Sequence, residues 1–330
     1  MALSVLCITR GPGPRVAALL ALLRPVAAEL VVAADERAAA ADVSAYAMVA
    51  DRVVRFPHDG SERHLAWAHE LCREPWILRI DDDELPSAAL LARLPSLAAE
   101  REVDQIWIPR RWVAPDGAGW LAEPPWWPDP QNRLVRRDAE RRFSGVLHTA
   151  AESSGPALWI EEPLYHLDLA LNDVATRRAK ARRYLAGSRG LQAPGGGDIG
   201  ASYYVPERRS RLAVLPLPAA DGEAIARALA PLAPVAGAPR ASVEAVAQAD
   251  VDRAWVGRTL PESGYDAELA IVAAPATLAA GSDVNVIVRV GNRGSDRWER
   301  ALDGPPFIRL ATAGGAGRRW SPRGRARRCR

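Results

Sequence analysis

Pro75-Trp76-Ile77-Leu78-Arg79-Ile80-Asp81-Asp82-Asp83-Glu84 decides how the rest of the chain is read. Its apolar half, headed by Trp76 and rich in Ile and Leu, has the composition of a buried strand. The run ends in four consecutive carboxylates, after which Leu85-Pro86-Ser87 opens a helical stretch through Ala99. Adjacent acids at the mouth of an apolar strand repel one another and cannot be solvated like a loose tail. A hard divalent cation relieves that repulsion: Mg²⁺ or Mn²⁺ takes oxygen ligands and is usually shared between carboxylates and substrate phosphates. Open α/β sheets also bind ligands beyond the carboxyl ends of their strands. The competing reading is an acidic turn that caps the next helix at its positive end.

Upstream, Leu3–Thr9 has the pattern of another buried strand, followed by a turn at Arg10-Gly11-Pro12-Gly13-Pro14. Pro14 suits the first position of a helix running to about Leu23. Glu29 to Ala34 reads as a second strand ending at Asp35-Glu36, and Asp51 to Phe56 as a third. Apolar residues at helical spacing fill the stretch from Ser61 to Cys72, just before the acidic strand. Strands alternating with helices predict an α/β fold, a Rossmann-like, mostly parallel sheet flanked by helices. The first turn fails as a dinucleotide fingerprint, because Pro12 separates Gly11 from Gly13 and Val16 fills the third small position.

Downstream, Val103 to Val113 reads as a strand, and five of the eleven tryptophans fall between Trp107 and Trp127. Flat rings of this kind either pack a loop on the core or stack against the CH faces of sugars. A basic helix is expected from Arg177 to Leu191, then a Gly-rich break from Ala193 to Gly200. Residues 206–264 are rich in Pro and Ala, with helical patterns at Gly222–Leu229 and Ser242–Trp255, and read as a linker or packing arm. From Tyr265 the pattern changes to alternating half-buried strands around Ala267–Val272, Asp283–Val290 and Pro306–Leu310. This is the signature of a partial immunoglobulin-like β-sandwich at 265–317, shorter than the roughly 100 residues such a domain needs.

Composition narrows the partners. Of the 43 basic residues, seven lie in 318–330, which holds no acid, so the body carries 36 basic against 40 acidic side chains. The net charge of +3 therefore belongs to a basic tail, expected to be disordered, and not to a nucleic-acid-binding face. Such a tail offers a contact with an anionic membrane surface. No apolar run reaches spanning length, so neither a signal peptide nor a transmembrane segment is expected. Cys7, Cys72 and Cys329 show no paired spacing, as for buried thiols of a cytoplasmic protein. Lys180 is the only lysine.

With these segments in view, the chain resembles family 2 glycosyltransferases of the GT-A fold. Trp76 to Glu84 resembles that family's "W-hydrophobic-D-x-D-E" segment, with Asp81 and Asp83 on its Asp-x-Asp positions. Asp129-Pro130-Gln131-Asn132-Arg133-Leu134, followed by Gly145-Val146-Leu147-His148, resembles its "D-x-Q-x-R-L … G-x-x-H" pattern. The likeness spans about residues 3–190, giving a glycosyltransferase domain at 1–205. Two segments depart from the pattern. Asp35-Glu36-Arg37-Ala38-Ala39-Ala40 lacks the usual hydroxyl and second acid, and Glu152 lies four residues beyond His148.

The resemblance implies an inverting transferase that moves a sugar from a UDP- or GDP-sugar to a saccharide or glycolipid acceptor, as in surface polysaccharide assembly. It places Asp83 as the Mn²⁺ or Mg²⁺ ligand, Asp81 facing the ribose and a metal-bound water, and Asp35 against the nucleotide. Such chemistry needs a carboxylate to deprotonate the acceptor hydroxyl, for which Asp129 is the first candidate and Glu84 the second. His148 is a third metal ligand, a phosphate binder or a structural histidine, and His166 carries the same ambiguity. Arg63 and Arg133 are candidates to clamp the diphosphate bidentately. A cytoplasmic enzyme, touching the inner face of a membrane through its tail, is the expected setting. The alternatives are a phosphatase or nucleotidyltransferase using the same acidic strand end, and a non-catalytic cell-surface or scaffold protein.

Overall fold

The computed structural model describes residues 2–58, 64–139, 141–143, 152–153, 155–187, 199–233, 235–256, 267–273 and 287–293. Its first half alternates strand and helix: β1 (Leu3–Thr9), α1 (Gly13–Leu23), β2 (Glu29–Asp35), α2 (Ala40–Val49), β3 (Arg52–Phe56), α3 (His64–Glu70) and β4 (Trp76–Asp81). The middle adds β5 (Glu84–Pro86), α4 (Ala88–Leu97), β6 (Gln105–Trp112), β7 (Gly119–Leu121), β8 (Pro130–Arg136), β9 (Arg141–Arg142), β10 (Glu152–Ser153), β11 (Ala157–Trp159) and β12 (Leu164–His166). Then come α5 (Asp168–Leu171), α6 (Val174–Gly187), α7 (Ile199–Tyr204), β13 (Val214–Pro216), α8 (Ala219–Leu229), β14 (Val243–Ala245), α9 (Gln248–Val256), β15 (Ala267–Ala273) and β16 (Ile287–Asn292).

Ten of these strands form one sheet, in the order β14-β3-β2-β1-β4-β8-β6-β12-β5, with β11 also paired to β6. From β14 to β4 every pairing is parallel, while β8 runs antiparallel between β4 and β6. The fold is thus mixed α/β with a mostly parallel sheet. Burial explains why these residues are strands: β2 is buried throughout, and β1 at all but Ile8, as expected where helices cover both faces. Alternate residues divide between the two layers. Leu3, Val5 and Cys7 pack with Leu30, Val32, Ala34 and the inner faces of α1 and α2. Leu6, Val31 and Ala33 pack instead with Trp67 and Ala68 of α3. Each fully buried leucine contributes about 1.5–3 kcal/mol.

Several elements differ from the sequence reading. The helix expected from Leu85 starts later, because Glu84–Pro86 pair antiparallel with Leu164–His166. Ser87 then caps α4, its Oγ accepting the Leu90 N–H at 3.1 Å. No strand is expected at 130–136, where Pro130 and two arginines break the apolar pattern, yet this segment is the central β8. Of the linker and packing-arm readings of 206–264, the stretch to Trp255 fits the second, since the first of two compact units runs from Met1 to Trp255. Within 206–255, β14 extends the sheet beside β3, Ile225 and Val251 are buried, and Tyr165 donates to Asp221 at 2.7 Å. The domain boundary near 205 is therefore displaced to about 255.

The second unit, Val256–Arg330, contributes an antiparallel pair, β15 with β16. The strand expected at Pro306–Leu310 and the basic tail lie outside the described residues. Among the described residues, no helix is long and apolar enough to cross a membrane.

Candidate active site

Strand order reverses between β1 and β4, which are neighbours although two strands separate them in the chain. Crevices in doubly wound sheets open at this kind of switch point, outside the carboxyl ends of the strands. A cleft of about 930 Å³ lies there, lined by Thr9 to Gly11, Asp35, Asp81 to Asp83, Asp129, Arg133, His166 and Lys180 among others. Gly11 lets the turn after β1 approach closely: a Cβ there would meet Asp82 Oδ2 at 2.2 Å. Thr9 Oγ1 donates to the same carboxylate.

The four acids are sorted into different environments. Glu84 is enclosed, its Oε1 receiving Arg133 Nη2 at 2.5 Å and Arg110 Nη1 at 3.2 Å. Its Oε2 accepts the Asp81 N–H at 3.1 Å. Asp81 pairs with Arg133 as well. Burial opposes ionisation of Asp81, but Arg133, Arg79 and Arg110 outweigh it and hold the carboxyl down to about 2. Burial raises Asp82 above the usual range, the Thr9 hydrogen bond opposing and the Asp81 charge adding to it. Asp83 is raised further, by burial and by Asp168, Asp82 and Asp81 against the pull of Lys180. Arg133, Arg79 and Arg110 thus relieve repulsion at Asp81, while Asp83 faces Lys180 against three neighbouring carboxylates.

Asp83 Oδ2 lies 3.5 Å from His166 Nε2 and 3.8 Å from Lys180 Nζ. Burial, together with Arg110, Lys180 and Arg133, pushes His166 well below its ordinary range, so the ring is neutral. A neutral imidazole beside a carboxylate suits a divalent cation. Among the described residues, however, no cluster of three or more His, Cys, Asp or Glu side chains is placed to hold a metal. The pair fits a cation that draws its remaining ligands from substrate oxygens and water, as Mg²⁺ commonly does.

Asp129 is fixed by three donors: Arg110 Nε at 2.8 Å, Trp112 Nε1 at 2.7 Å and Gln131 Nε2 at 2.7 Å. Asp35 ends β2 and is gripped by Arg37 through its backbone N–H and its guanidinium. Burial works against the charge on Asp35, but the Arg37 hydrogen bonds and charge prevail and lower its carboxyl. Arg133 is buried between Asp81 and Glu84, while its Nε and Nη1 find no acceptor among the described residues. Asp35, Asp81, Asp83, Asp129 and Arg133 all line one cleft; the carboxylate of Glu84 lies enclosed behind it. Arg63 and His148 lie outside the described residues.

The sequence reading gave no role to Arg110, Arg37 or Lys180, and named Trp112 only as one of a tryptophan cluster; all four line the cleft. In a chain with 42 arginines, Arg37 and Arg110 carry no distinguishing signal. Lys180 does carry one, as the sole lysine. Of the tryptophan cluster, Trp112, Trp120 and Trp126 are buried. Trp112 alone among them borders the cleft, packed on His166 with centroids 4.0 Å apart.

The sequence matches no protein-family profile and no curated protein. Among solved structures, the chain is similar to TarS of S. aureus. A crystal structure of TarS 1–349 has 14% identity over 59% of this chain and 68% of that one, with a TM-score of 0.33. A second TarS structure has 14% identity over 59% of this chain and 41% of its own length, with a TM-score of 0.35. At that distance the α/β assignment stands on the strand order and pairing of the chain itself.

Proposed function

We propose that the chain is an inverting glycosyltransferase of the GT-A type, taking a nucleotide-sugar donor and a saccharide or glycolipid acceptor. The observation that carries this reading is the convergence of Asp83, Asp35, Asp129 and Arg133 on one cleft at the β1/β4 switch point. Asp35 and Arg37 form the nucleoside end, and the acidic strand end faces the diphosphate. Asp83 and His166 would hold a Mn²⁺ or Mg²⁺ ion, which when bound offsets negative charge on the diphosphate.

The base is Asp129. Its carboxylate is held in one orientation by three donors, and it takes the proton of the acceptor hydroxyl as that oxygen bonds to the anomeric carbon. The bond from the anomeric carbon to the diphosphate breaks in the same step, and the nucleoside diphosphate leaves with the electron pair. Glu84 has no such access; enclosed by Arg110, Arg133 and the Asp81 N–H, it positions its neighbours. A panel of UDP- and GDP-sugars, assayed for release of UDP or GDP, tests the reading. Release with at least one donor, lost in D83A, supports it. No release with any donor, together with no nucleotide binding, contradicts it.

A further inference from the structure

Lys180 is the one lysine among 43 basic residues, and it sits on the cleft wall. It belongs to α6, whose Thr176, Ala179, Lys180 and Arg183 also border the cleft, the spacing of one helical face. Its Nζ donates to Asp168 Oδ1 at 2.5 Å, lies 3.8 Å from Asp83 Oδ2 and stands 4.8 Å over the Tyr204 ring. Asp168 is almost wholly buried and also receives Asn172 Nδ2 at 3.0 Å, so it is a fixed anchor. The ammonium is thereby held on the cleft wall, within 3.8 Å of the acidic strand end.

We propose that Lys180 binds the diphosphate of the donor, with Asp168 as its positioning residue; this rests on the nucleotide-sugar reading above. An ammonium is a compact point charge that serves several acceptors from one centre, so the Asp168 bond is compatible with a phosphate contact. The wider, planar guanidinium that the chain uses elsewhere lacks that freedom. A diphosphate entering the cleft approaches Asp82 and Asp83 as well as the Arg133-paired Asp81. Lys180 supplies attraction on that side, complementing any divalent cation that Asp83 holds.

The sole lysine makes the test direct. The full chain is acylated with an amine-selective reagent, with and without UDP or GDP and with and without Mn²⁺, and the acylation of Lys180 is followed by mass spectrometry. The N-terminal amine serves as the internal reference. Titration of the same nucleotides into the same preparation is run in parallel. The expected result is at least tenfold slower acylation of Lys180 when nucleotide is bound, with the N-terminal rate unchanged. Binding without protection overturns the assignment of Lys180 and leaves the donor reading intact, whereas no binding of either nucleotide overturns both. The double variant K180M/D168N, which removes the charge pair together, is expected to lose about tenfold in affinity for UDP or GDP while keeping that for uridine or guanosine. Equal loss for nucleoside and nucleotide would mean a structural role and overturn the proposal.

Discussion

Arg133 Nη2 and Glu84 Oε1 lie 2.5 Å apart, 49 residues distant in sequence, with both side chains enclosed between β8 and the end of β4. This pair ties the antiparallel β8 to the acidic strand end and, through Arg133 and the Asp81 N–H, holds Asp81 in place. Removing Arg133 leaves Glu84 with Arg110 alone and takes the ion pair from Asp81; breaking a buried pair costs up to about 3–5 kcal/mol. R133M is therefore expected to lose stability of that order in urea unfolding. R133M/E84Q should recover part of the loss. Equal stability of the single variant and the wild type would show that the pair does not hold the strand end.

The Asp129 carboxylate takes hydrogen bonds from Arg110, Trp112 and Gln131. In D129N an amide replaces one acceptor oxygen and cannot take a proton. Transfer is expected to fall about 10²- to 10⁴-fold, with donor binding kept within a few-fold, as read by steady-state kinetics beside a nucleotide titration. Transfer unaffected by D129N would remove Asp129 from the base role.

The local and the non-local parts of this architecture differed in how well they could be read. Strands β1 to β4 announce themselves as short apolar runs, and Asp35 and Asp81–Asp83 were legible because strand ends carry ligand chemistry. Strand β8 was not legible, since its pairing partners supply the burial that Pro130, Arg133 and Arg136 hide. Ser87 marks the true start of α4, but the short strand before it exists only through its pairing with Leu164–His166. Arg110 enters the site through tertiary contacts, so composition and spacing give no hint of it, and the tryptophan cluster alone does not single out Trp112 as the ring on Asp129. The same holds for the 206–255 arm, whose Ile225 and Asp221 have meaning only against the body they pack on.

Arg37 holds the Asp35 carboxyl below its ordinary range against the cost of burial. A lowered folded value means that the stabilisation is present above the unfolded carboxyl range, about pH 4, and is lost as pH falls through the folded value. R37A should therefore be less stable than wild type at pH 7, by no more than about 1 kcal/mol because Arg37 is half exposed. The gap should close as pH drops below 4. Urea unfolding of both proteins across pH 3–7 checks this, and a gap that widens on acidification would contradict the assignment.

The central claim is that the acidic end of β4 receives a cation and, with it, the diphosphate of a donor. Calorimetric titration of UDP and GDP into wild type and D83A, each with and without Mn²⁺, tests it most directly. The account predicts that Mn²⁺ strengthens nucleotide binding to the wild type and that D83A, still folded by circular dichroism, loses that gain. Nucleotide affinity indifferent to both Mn²⁺ and Asp83 would contradict it.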